Sequence, residues 1–222
     1  VTENSNTGVR LSTAVAANYG DIGSNAVDLS NSSSASTTRG ATGDYSIAMG
    51  RYTTASGSSS TAMGEGTIAS GNFSTAMGSN TEASGDYSTA MGESTTASGY
   101  ASKAMGQITT ASGDYSSAMG YNTLASKAYS TAMGVLTIAS GESSTAMGGS
   151  TVASGYYSTA MGRNSKASDY GSLVIGQYNS SGSSATSADS FSTANTAFVI
   201  GNGLGTGVDA SDAFSILFDG TT

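Results

Sequence analysis

TTASGSSSTAMGEG, residues 53–66, is one unit of the pattern that decides the fold. It divides into two halves, TTASGSS (53–59) and STAMGEG (60–66), each with Ala at its third place and Gly at its fifth. Five residues of alternating character, then Gly and a short polar link, predict a short strand and a turn. A helical heptad would need large apolar residues at two places and helix formers between them; Gly, Ser and Thr supply neither. Outward from this unit the register holds. Met49, Met63, Met77, Met91, Met105, Met119, Met133, Met147 and Met161 are spaced by 14, and the next step lands on Ile175. Gly50 to Gly176, Ser46 to Ser172 and Ala41 to Ala167 recur at the same interval in all ten units. Two strands per 14 residues make one coil of a solenoid. Stacked coils pair about 4.8 Å apart, so the ten coils of residues 41–176 predict a rod roughly 48 Å long.

Variation down each column says which side of a strand meets water. The second place of TTASG reads Thr54, Ile68, Glu82, Thr96, Thr110, Leu124, Ile138, Val152 and Lys166. A column that accepts Glu and Lys faces out, which turns Thr53, Ala55 and Gly57 inward. The same parity places Ser60, Ala62 and Gly64 inside and the Met column outside. Stacked Met side chains would then form an apolar stripe of the kind that marks an interface. The opposite arrangement, with Met filling the lumen, conflicts with Lys103, which shares the Met face.

Composition narrows the chemistry. The 222 residues include 31 Gly but no Pro, Cys, His or Trp. A Ser-His-Asp triad, a Cys nucleophile and the common zinc sites are excluded, and neither a metal nor a cofactor is expected. Fifteen acidic against seven basic residues give a net charge of −8, which disfavours nucleic acid and anionic lipid as partners. No apolar run is long enough for a membrane helix, so no membrane contact is expected in this segment. VTENSNTGVR at the start lacks an apolar h-region, so any signal or anchor is expected outside these residues.

The repeated A-S-G-x-x-S-x-A-M-G of residues 41–176 resembles the YadA-like head of trimeric autotransporter adhesins, whose repeats read A-x-G-x-x-S-x-A-I-G. Met stands where that family usually has Ile or Val, and SLVIG (172–176) restores the usual form. The resemblance implies an all-β, left-handed parallel β-roll with 14-residue coils. It also implies a homotrimer of chains wound side by side and a non-enzymatic extracellular role at a cell surface or on a fibre, phage tail fibres included; the outward Met49–Ile175 column is then the expected seam. Lys127 and Asp169 depart from the pattern by replacing the Gly of the first strand, where a tolerated Cβ or a local distortion is expected.

The flanks read differently. Residues 1–40 lack the Met register and predict irregular opening coils or a cap, with LSTAVAANYG and a Ser run at 31–38. Residues 177–222 predict a loop, YNSSGSSATSAD (178–189), and a β-rich cap carrying TAFVIGNGLG and DAFSILFDG. The chain is expected to continue beyond Thr222.

Aromatic residues recur at one turn: Tyr45, Phe73, Tyr87, Tyr115, Tyr129 and Tyr157, with Tyr100, Tyr156 and Tyr170 one place earlier. They are candidate ligand-facing rings for sugar faces or collagen-like ligands; the alternative is stacking between coils and against a neighbouring chain. The acids of the column beginning at Asp44 alternate with uncharged residues, a pattern that serves stacking, and Arg51 and Glu65 put opposite charges on adjacent coils. No paired carboxylates suit a glycosidase. An ice-binding face is disfavoured, because Lys103 interrupts the Thr61, Thr75, Thr89 column. The function expected is an adhesin head or fibre that attaches to a surface receptor, glycan or matrix ligand. The alternative is a rigid spacer whose binding tip lies elsewhere.

Overall fold

The computed structural model describes residues 1–11, 14–182 and 184–222. Ser12 and Thr13 of the opening segment and Ser183 of the later loop lie outside the described residues. The chain divides into two compact units, Val1–Thr109 and Thr110–Thr222. Each is a parallel β-solenoid with two sheets.

In the first unit the longer strands include Ile47–Arg51, Thr61–Glu65, Thr75–Ser79, Thr89–Glu93 and Lys103–Gln107, parallel and in sequence order. The second sheet is built from two-residue strands such as Thr54–Ala55, Ile68–Ala69 and Glu82–Ala83. The second unit has an equivalent pair of sheets, running from Ser117–Tyr121 to Leu173–Gln177 and from Thr110–Ala111 to Lys166–Ala167. Register follows the 14-residue period: Met77 lies beside Met63 and Met91, and Met147 beside Met133 and Met161.

The lumen is lined as the column parity predicts. Thr53, Ala55, Ser60 and Ala62 are fully buried, and so are their equivalents along both units. Side chains this small let the two sheets approach closely. Some inner Ser residues also fasten the turns: the Ser144 and Ser158 hydroxyls donate to the Gly141 and Gly155 carbonyls at 2.7 and 2.6 Å.

Two expectations are corrected. The TTASG segment pairs over two residues rather than five, because the chain turns at the following Ser and Gly. Gly64 does not point inward; it is exposed. Its φ is +121°, a region that L side chains rarely adopt, and it swings the strand away from the lumen so that Gly64 and Glu65 both face out. Strict alternation assumed ordinary β dihedrals through the last two residues of the strand.

The opening residues contain a coil that the Met register hid. Val27–Asn31 pairs in register with Ile47–Arg51, and Leu29 takes the Met position beside Met49. Asp28 occupies the inner column that Ala48 continues, and it is 1% exposed. Arg10 neutralises it at 3.0 Å, binds Glu3 at 2.8 Å and donates to the Gly20 carbonyl at 2.8 Å. A buried carboxylate needs such a partner.

The closing residues resume the register after a longer interval. Thr196–Asn202 lies parallel to Leu173–Gln177, with Val199 beside Val174 inside and Ile200 beside Ile175 outside. Asp212–Leu217 then pairs antiparallel and ends the sheet. Asp169 makes the long excursion between them workable. It is fully buried at the place where earlier coils have Gly, and its carboxylate accepts from the backbone N–H groups of Thr186, Ser187 and Thr196. Lys127, at the same place in its own coil, is exposed. The departure at Asp169 is therefore a built anchor. Asp169→Ala would leave three backbone donors without their acceptor, of which that of Thr196 is buried, and we expect a loss of about 1–2 kcal/mol confined to the C-terminal coil. Faster hydrogen exchange at Thr186, Ser187 and Thr196, with the preceding coils unchanged, checks it.

Candidate attachment surface

Outside the lumen, two columns of large side chains stand on each unit. The Met column lies on the outer side of the longer strands, half-exposed throughout and most open at Met49 (37%) and Met133 (36%). It widens toward the closing coils, where Ile175, Ile200 and Phe214 stack beside Leu173, Phe198 and Ile216. Lys103 shares this side and is exposed, as its placement on the outer parity requires.

The aromatic column occupies a turn. Tyr45, Phe73, Tyr87, Tyr115, Tyr129 and Tyr157 all have φ between +57° and +59°, and all are at least half exposed. The same turn is left-handed where it carries Ser59, Ala101, Ser143 or Gly171, so the fold sets this conformation and the rings occupy it. Neighbouring rings stack: Phe73 on Tyr87 at 5.0 Å and 9°, Tyr115 on Tyr129 at 5.2 Å and 2°. Ring faces thus point along the column and ring edges point to solvent.

The polar column one place earlier has a stacking role. Side-chain oxygens of Asp44, Asn72 and Asp86 accept from the backbone N–H of Ser24, Ser58 and Asn72, each on the preceding coil. An acceptor is needed, so Asp and Asn serve alike, and the spaced acids need no catalytic explanation. On exposed strand ends, Arg51 and Glu65 form the expected inter-coil pair at 3.1 Å, which stabilises little in water.

Among the closing coils, the acids anchor loops. Burial raises the Asp212 carboxyl, but hydrogen bonds from Ser180 and Ser181 outweigh it and hold the group below the usual carboxylate range. Asp219 is also lowered, by the backbone and hydroxyl of Thr221.

The 14-residue register, the small lumen and the outward Met column are the features by which the chain compares with known proteins. No curated protein matches it. A family model for the YadA head domain repeat, two copies long, matches residues 41–67, 55–81, 83–107, 97–123, 125–151 and 153–179. These matches cover more than half of the 222 residues and coincide with the coils whose inner column is Ala and whose outer column is Met. The chain belongs to the YadA head domain repeat family.

Proposed function

We propose that three copies of this chain pack along their Met columns to form the head of an extracellular fibre, and that the fibre attaches to a surface ligand without chemistry. The observation that carries this reading is the outward Met column. Its side chains are too regular to be scattered surface residues, and the solenoid has no second layer of its own to cover them. Covering the exposed part of each is worth roughly 1 kcal/mol, and repetition along a chain makes the seam strong. Family membership supports the same arrangement, since YadA-type heads are trimeric and surface-borne.

Attachment follows from the other columns. Three chains present each exposed turn three times, and repetition down the column multiplies it again, so weak contacts sum to firm adhesion. The whole chain, immobilised and probed with glycan and matrix-protein panels, is expected to retain at least one of them. No retention by a correctly trimeric sample would leave the chain as a spacer.

A further inference from the structure

The aromatic turn occurs ten times, and four of those positions lack a ring: Ser59, Ala101, Ser143 and Gly171. At two of the four the preceding residue supplies one. Tyr100 packs edge-on to Tyr87 at 5.4 Å and 65°, and Tyr170 does the same to Tyr157 at 5.4 Å and 69°. At the other two the preceding residues are Ser58 and Glu142. Each of these rungs therefore has a ring on the coil before and the coil after, and a small side chain between: Tyr45 and Phe73 around Ser59, Tyr129 and Tyr157 around Ser143. The four wall rings are 63, 53, 58 and 54% exposed.

The filled rungs set the dimensions of the open ones. Stacked neighbours sit 5.0 and 5.2 Å apart. Two coil steps of about 4.8 Å separate the walls of an open rung by about 10 Å. A guest ring there would lie about 5 Å from each wall, the protein's own stacking distance and within the normal range for ring contact. We propose that each open rung takes one pyranose ring of a surface glycan, sandwiched between the two walls. The inference rests on the reading of the chain as an attachment fibre and names the ligand class.

A pyranose suits the rung on both counts that matter. Its two C–H faces meet ring faces, and its hydroxyls meet the polar groups of the same turns, Asp44 and Asn72 at the first rung and Lys127 and Glu142 at the second. A nucleotide base would bring phosphate to a chain of net charge −8. Left-handed backbone at the wall residues also aims the rings before any ligand arrives, so little ordering entropy is lost on binding.

Saturation-transfer NMR tests this, with methyl β-D-glucopyranoside as the probe and the protein's aromatic protons irradiated. Transfer is expected to both C–H faces of the sugar, to H1, H3 and H5 on one and to H2 and H4 on the other. The Ser59→Tyr, Ser143→Tyr double variant fills both rungs with a residue this column already carries elsewhere, so its fold and native mass should match the parent. Its transfer should fall about tenfold, the loss of roughly 1.4 kcal/mol of binding. The Phe73→Ala, Tyr157→Ala variant removes one wall from each rung and should lose transfer similarly. Undiminished transfer in the filled variant, or none in the parent, overturns the proposal. Transfer to N-acetyl-tyrosine amide but not to the sugar also overturns it, in favour of a peptide guest. Native mass and panel attachment on the same samples test the fibre reading separately: attachment without sugar transfer rejects the open rungs alone.

Discussion

Gly92→Ala is expected to destabilise the first unit by about 4 kcal/mol, lowering its melting temperature by about 10 °C or more, although Gly92 is exposed. Exposure ordinarily makes a Gly→Ala change neutral or slightly favourable. Here the backbone has φ of +122°, and a Cβ would overlap the carbonyl oxygen of Gly106 on the next coil. That carbonyl belongs to the strand ladder and cannot retreat without breaking it. Gly149→Ala is the matched control, since a Cβ there meets nothing within 4 Å. Thermal melts of the two variants should separate clearly. Equal melts would mean that the coils are not held at the spacing described.

Met105→Asp is expected to dissociate the proposed trimer while leaving each chain folded. Met105 stacks on Met91 at the outer side of its strand and is half-buried within its own chain. On a solvated surface an Asp at such a position costs little. In a dry seam it places three carboxylates among Met side chains with no partner, at several kcal/mol each. A loss of about 4 kcal/mol or more weakens assembly at least about a thousandfold. Analytical ultracentrifugation would show monomer at micromolar concentration, and circular dichroism would retain the β signal. A trimer as tight as the parent would place the seam elsewhere.

Much of this architecture is legible in the sequence, because a 14-residue period leaves each column to report its own environment. Glu82 and Lys166 mark the outside of the short strands, and Ala55 and Ala62 the lumen. The reading fails where a residue acts through something other than alternation. Gly64 breaks parity through a dihedral that no side chain announces. Asp28 and Arg10 lie 18 residues apart, outside the period, so their pairing is visible only once the opening coil is formed. Asp169 looks like a defect in a Gly column until the excursion whose N–H groups it receives is in place. The aromatic column is evident in the sequence, but which of its gaps are closed is not. Tyr100 and Tyr170 close two of them from a neighbouring position by turning edge-on, an orientation the sequence does not carry.

The central claim is that the Met columns meet in a three-chain seam. Native mass in solution, by light scattering behind a sizing column, tests it most directly. The account predicts three times the 21.7 kDa chain mass, unchanged on dilution through the micromolar range. A stable monomer would contradict it, because the Met columns would then stand in water with nothing to cover them.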